Sequence, residues 1–144
     1  MHASITLQQG LDQFHEKNRK YFSERDHSSK GEEFLKCHDI THVVFGCATT
    51  LYGEGVVKVW TTFGTTLSFW QVINGYREVS AFQLFKMYTF RHIIKNIGRF
   101  VLSIPKVITN AKKMNKPWPF REYQSYLNKP VAEIRREFNI LVVS

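Results

Sequence analysis

Between Leu84 and Lys116 the chain has no aspartate and no glutamate. The same stretch holds Lys86, Arg91, Lys95, Arg99, Lys106, Lys112, Lys113 and Lys116. The whole chain has 20 basic and 12 acidic residues, so outside this block the charges balance. A local basic excess points to an anionic partner: lipid headgroups, nucleic acid or a phosphorylated ligand. Cysteine is scarce, with only Cys37 and Cys47. Two in a chain of this length make no disulfide framework, which favours a reducing compartment. Their spacing is not that of a zinc ribbon, so core thiols are the expected reading and ligands the alternative. A long apolar run is missing too. The longest uncharged stretch, Val59 to Tyr76, carries four threonines, a serine, a glutamine and an asparagine. It reads as a buried helix rather than a membrane span. The N-terminus has Asp12, Glu16 and Glu24 and no apolar centre, so neither a secretory signal nor a typical transit peptide is expected. A cytoplasmic setting follows as the expectation. No strand-like alternation, internal repeat or low-complexity segment is present. At 43% hydrophobic and 15% aromatic, the 144 residues can bury a real core. The expectation is an all-α fold, a single domain of five or six helices.

The elements follow from apolar spacing. Residues 5–25 read as a first helix, with Leu7, Leu11, Phe14 and Phe22 near one face and Asn18 interrupting the stripe. Ser29 with Glu32 three later is a capping-box pattern that opens a second helix over 30–45. Gly46 to Gly53 is a break. A third helix is expected over 53–73, with Val56, Trp60, Phe63, Leu67 and Trp70 as one core seam. From 80 to 115 the pattern is helical again, with Pro105 as a kink or break. There Ile93, Ile94, Ile97, Val101, Ile104 and Ile108 share one side, opposite Arg91, Lys95, Arg99 and Lys106. Lys116-Pro117-Trp118-Pro119-Phe120 reads as a rigid linker. A last helix spans 131–138, with Pro130 at its start.

One stretch looks like chemistry. His38 and His42 are a helical turn apart, about 40° around the axis, and Asp39 is roughly 60° beyond His42. An arc of ~100° lets all three converge on one ion. On an uninterrupted helix Glu54 would be about 18 Å further along than His42. It can join them only if the chain turns back, and Gly46 and Gly53 allow that. The motif therefore predicts two antiparallel helices with a metal between them. Two imidazoles with one or two carboxylates suit zinc with an open position, non-haem iron or manganese. Alternatively, the histidines are a satisfied pair at a helix surface, and Asp39 only orients an imidazole.

The longer string, His38-Asp39-Ile40-Thr41-His42 followed by eleven residues and Glu54, closely resembles the signature of the coenzyme Q (ubiquinone) biosynthesis protein four family. Gly53 before the glutamate and Val56-Val57-Lys58 after it are also similar. Ala132 to Ile140 is similar to the family's closing helix, more loosely. The resemblance implies an all-helical protein that binds a divalent metal, most readily zinc, through His38, Asp39, His42 and Glu54. It implies peripheral association with the inner face of a membrane and a prenylated quinone precursor or isoprenoid ligand. It further implies a part in head-group modification. That part is either the enzyme removing the ring carboxylate and replacing it with hydroxyl, or a scaffold for other quinone-biosynthesis enzymes or for copies of itself.

Several residues carry two readings. Arg91, Lys95, Arg99 and Lys106 are either the solvated face of a core helix or a surface for anionic lipid. Phe85, Tyr88, Phe90 and Phe100 interleave with the basic residues as a stacking surface would. No nucleic-acid-binding signature accompanies them, so that partner is not expected. Trp60 and Phe63 line either the core or an isoprenoid pocket. Lys58 is either the i, i+4 partner of Glu54 or a holder of a substrate anion. His15, His27 and His92 have no motif around them and read as surface residues. A phosphoester hydrolase of the His-Asp type is the remaining alternative, without further ligands to nominate.

Overall fold

In a computed structural model of the chain, residues 4–19, 29–78 and 90–143 are described, and the structural statements below concern these. Six α-helices account for most of them. The first, α1 (Leu7–Lys17), opens on a reciprocal box. The Thr6 hydroxyl accepts from the Gln9 amide, and the Gln9 side chain accepts from the Thr6 amide. It ends earlier than expected, because the Asn18 side-chain amide donates back to the Phe14 carbonyl at 2.7 Å. The rest of the expected first helix, 20–25, lies outside the described residues.

The second helix, α2 (Ser29–Phe45), is the centre of the fold. It packs against α1, α3 (Leu51–Gly64), α4 (Phe69–Glu78) and α6 (Val131–Phe138). Every residue from Cys37 to His42 is buried, which requires neighbours on all sides. The helix begins one residue before the expected start; the Ser29 side chain of the capping pattern falls outside the described ones. Its C-terminal carbonyls are occupied. Arg135 of α6 donates Nε to the Val44 oxygen and Nη2 to the Val43 oxygen, both at 2.8 Å. Gly46 then takes a φ of 68°, and the Cys47 amide bonds to the His42 carbonyl at 2.9 Å.

The expected single helix over 53–73 is two helices. α3 starts at Leu51, capped by the Thr50 hydroxyl on the Gly53 amide, and stops at Gly64. Thr65 is extended and bridges to Trp118. The Trp118 amide donates to the Gly64 carbonyl, and the Trp118 carbonyl accepts from Thr66. The expected linker is thus a clamp, with Trp118 and Phe120 fully buried. The expected seam breaks with the helix: Val56, Trp60 and Leu67 are buried, but Phe63 and Trp70 are 53% and 70% exposed.

α5 (Phe90–Lys112) packs along α3, and Pro105 neither ends nor divides it. Pro105 is exposed, where water can satisfy the carbonyl that its missing N–H releases. The isoleucine stripe is only partly covered: Ile104 and Ile108 are half-buried, and the Ile93 side chain lies outside the described residues. Ile94, Ile97 and Val101 are about half exposed, and Leu102 is 82% exposed. The buried face is Ser103, Val107, Asn110 and Ala111, with Phe100 partly buried beside it. The two polar members are satisfied: the Ser103 hydroxyl donates to the Phe100 carbonyl and the Asn110 amide to the Leu141 carbonyl. Residues 79–89 of the expected 80–115 helix lie outside the described residues. A 3-10 turn (Gln124–Tyr126) leads to α6, which has the expected bounds and ends on Asn139 in the left-handed conformation. Among the described residues no strand occurs, and no helix is long and apolar enough to cross a membrane.

Candidate metal centre

The turn at Gly46 brings the first turn of α3 back to the last two turns of α2. Glu54, far along the axis had the helix continued, meets both histidines. Its Oε1 is 3.1 Å from His42 Nε2 and its Oε2 is 3.3 Å from His38 Nε2. The two Nε2 atoms are 3.1 Å apart. All three side chains are at most about 5% exposed. They are the only group of three potential ligands among the described residues with ligand atoms within 4.8 Å of one another. Gly53 makes the approach possible: a Cβ there would stand 2.0 Å from the Ala48 carbonyl oxygen.

The outer nitrogen of each imidazole is held. His42 Nδ1 is 3.0 Å from the Cys47 carbonyl, an atom that can only accept. His42 Nδ1 therefore carries the proton, and in the neutral ring Nε2 presents a lone pair to the centre. His38 Nδ1 is 2.9 Å from the Tyr76 hydroxyl, which can donate or accept. The Phe14 ring stacks on His42 with centroids 5.1 Å apart. Burial pushes His38 below the ordinary imidazole range, which keeps it neutral. Burial alone would raise the Glu54 carboxyl. The two imidazoles set against it, His38 and His42, reverse this and hold it well below the usual carboxylate range.

A cation fits this donor set. With both rings neutral, a single proton, on His38 Nε2, is available to His42 Nε2 and to both oxygens of Glu54. Glu54 Oε1 is buried and makes no hydrogen bond. A buried carboxylate with surplus lone pairs is costly until a positive charge joins it. A divalent ion at ~2.0–2.2 Å from each donor places neighbouring donors ~3.0–3.5 Å apart, as they are here. When an ion is held, His38 Nε2 must be free of its proton. Tyr76 accommodates the change by accepting from Nδ1–H instead of donating to Nδ1.

Asp39 does not join the three. On α2 it lies beyond His42, towards α1 rather than α3, and its Oδ2 meets His15 Nε2 at 3.1 Å. His15, expected at the surface, is 43% exposed and tied to this buried carboxylate. Neither His27 nor the His92 side chain is among the described residues. Trp60 is fully buried and stacks on Phe45, while Phe63 faces outward. Lys58 lies over the Tyr76 ring at 5.2 Å, and the partners found for Glu54 are the two histidines. Cys37 and Cys47 are free, buried thiols, pushed up by burial to about 11 and about 12, as core thiols would be. The sequence carried no local signal for Phe14, His15 or Tyr76 at the site, because each arrives from another helix.

Fold and site together define an all-α protein with a buried His-His-Glu group, able to hold a divalent metal, between two helices. The chain belongs to the coenzyme Q (ubiquinone) biosynthesis protein Coq4 family, whose sequence profile matches residues 20–144. This bears out the family resemblance and implies a role in ubiquinone biosynthesis. The match begins after α1, so Phe14 and His15 are contributed from outside it. No curated protein and no solved structure matches the chain significantly.

Proposed function

We propose that this chain is a metal-binding, membrane-peripheral protein that holds a prenylated quinone precursor for modification of its head group. The observation that carries the reading is the convergence of His38, His42 and Glu54, with Glu54 Oε1 left without a hydrogen bond. In this reading the three side chains hold zinc, and Asp39 contributes its charge from the neighbouring position while pairing with His15. A bound zinc ion supplies a Lewis acid toward a ring carboxylate or phenolate oxygen. The chain's own part is positional. Cys47 and Tyr76 fix the imidazole rings, burial excludes water, and the α2–α3 turn sets Glu54 opposite the histidines.

The membrane part rests on α5. Its exposed Ile94, Ile97, Val101 and Leu102 stand with Arg91, Lys95 and Lys106, which are also exposed. That combination suits a helix lying in an anionic interface. The same exposed face also favours a second reading, a non-catalytic scaffold on the membrane.

Metal analysis of purified protein tests the site. Close to one zinc per chain is expected, lost in His42→Ala; iron or manganese in its place would correct the metal, and no metal in either protein would sink the reading. Incubating zinc-loaded protein with a ring-carboxylated, prenylated precursor separates enzyme from scaffold, because only the enzyme changes the ring.

A further inference from the structure

Phe14 and His15 are neighbours on α1, and each meets a different residue of the histidine-bearing helix. The Phe14 ring stacks on His42, and His15 Nε2 lies 3.1 Å from Asp39 Oδ2. Both come from outside the segment that matches the family. α1 is tied at both ends, so it presents them from a fixed place. At its start the Leu7 amide donates to the Lys129 carbonyl and the Val131 amide to the Ile5 carbonyl, both at 2.9 Å. At its end the Thr49 hydroxyl, in the turn before α3, donates to the Asn18 side-chain oxygen. Between the two ends Gly10 lets α1 cross α2 closely, since a Cβ there would stand 2.9 Å from Val43 Cγ1.

A carboxylate can only accept, so His15 Nε2 carries the proton of this contact. Asp39 is 3% exposed and directly follows a histidine of the metal centre. A buried carboxylate needs hydrogen-bond donors or a cation. His15 supplies a donor on the α1 side, away from Glu54. The Asp39 oxygens are accordingly not among the ligand atoms that gather within 4.8 Å at His38, His42 and Glu54.

We propose that His15 is a positioning residue: it holds the Asp39 carboxylate toward α1, so that the metal centre has three protein ligands and keeps a position open to an outside ligand. The inference rests on the metal reading above and adds what sets the number of ligands. Zinc sites with three protein ligands leave the fourth position to water or substrate, whereas four protein ligands close the site. Without the bond from His15, the Asp39 carboxylate turns to the cation and fills that position. A side chain that touches neither the three ligands nor the open position thus decides whether the centre can take a substrate oxygen.

The test compares the full native chain with His15→Ala and His15→Gln, since glutamine keeps an N–H donor for Asp39. Zinc affinity is measured by chelator competition. Azide is titrated into the cobalt-loaded proteins and followed by visible absorption, which reads the open position. His15→Ala should bind zinc about tenfold more tightly than the native chain, on the scale at which outer partners act on a metal site. Its cobalt spectrum should no longer respond to azide. The native chain and His15→Gln should share the lower affinity and the azide response. A merely structural role for His15 moves affinity the other way, because loosening α1 takes Phe14 off His42. Adding Asp39→Asn to His15→Ala should restore the azide response. Zinc binding in His15→Ala no tighter than native, an azide response that survives in it, or a native cobalt protein blind to azide would each overturn the role of His15 while leaving the metal site intact. Absence of metal uptake by all the proteins would instead sink the metal reading, and this inference with it.

Discussion

The phenol oxygen of Tyr76 lies 2.9 Å from Nδ1 of His38, across thirty-eight residues of chain. It joins α4 to the centre formed by α2 and α3. Because Nδ1 is engaged there, Nε2 is the nitrogen that points inward, toward Glu54 and His42. Tyr76→Phe keeps the ring, its edge contact with Phe34 and its place under Lys58, and removes only the hydroxyl. Zinc affinity should fall by about 10–100-fold, the usual consequence of losing an outer hydrogen bond to a ligating histidine. A chelator-competition titration measures this, and unchanged affinity would show that His38 needs no orienting partner.

The Glu54 carboxyl makes the metal-free protein acid-sensitive. Its folded value lies below the ordinary 4.5, so the unfolded chain binds the proton more readily. The stability it contributes is full above pH 4.5 and is lost as pH falls below that value toward the depressed folded one. Urea midpoints between pH 3 and 7 should drop on the acid side for the native chain and drop less for Glu54→Gln. A parallel decline in the two proteins would mean that another carboxyl governs the acid limb.

The alkaline limb runs the other way. Cys37 and Cys47 are raised from 9.0 to about 11 and about 12, so the folded chain keeps thiol protons that the unfolded chain gives up. Stability should therefore fall as pH rises from 9.0 through those values. At pH 8, iodoacetamide should label neither thiol in the native protein and both in urea. Rapid native labelling at Cys47 would contradict its burial against the turn.

How much of this was legible depends on which residues had to meet. The His38–Glu54 encounter could be read because helix geometry leaves one solution: the chain reverses between Gly46 and Gly53. The break after Gly64 could not be read. The apolar period runs through it unchanged, and what ends α3 is Trp118, bonded to Gly64 from a distant segment. On α5, periodicity told which residues share a side, but not which side is covered. The covered side is set by α3, where Gly55 brings the backbone close under Phe100. That approach turns Ser103 and Asn110 inward and leaves Ile94 and Ile97 outside.

Gly53 is the tightest point of the reversal. Replacing it with alanine puts a methyl 2.0 Å from a backbone oxygen, and backbone cannot rotate away as a side chain can. The turn must open, and Glu54 moves with it. Gly53→Ala should cost about 1–3 kcal/mol of stability, in the range of overpacked sites with a backbone shift. It should also abolish zinc binding, although no ligand is changed. Thermal melts and metal analysis together check this. A stable Gly53→Ala protein that retains zinc would show that the reversal has slack.

The exposed face of α5 makes a prediction about surfaces. Of its four central basic residues, Arg99 lies over the Tyr52 ring at 4.1 Å and so is tied to α3. Arg91, Lys95 and Lys106 are exposed, and in the membrane reading proposed above they carry most of the electrostatic attraction to an anionic bilayer. Leu102, the most exposed apolar residue here, sits among them. Binding to phosphatidylserine-containing vesicles should weaken with added salt, since surface attraction falls off within a Debye length. Reversing Arg91, Lys95 and Lys106 to glutamate should weaken it by a further tenfold or more, at about 1 kcal/mol per charge removed. Leu102→Asp should weaken it at all salt concentrations, because it removes the apolar anchor rather than a charge. Sedimentation with vesicles distinguishes the two. If neither change lowers vesicle binding, the apolar stripe of α5 is covered by something other than lipid.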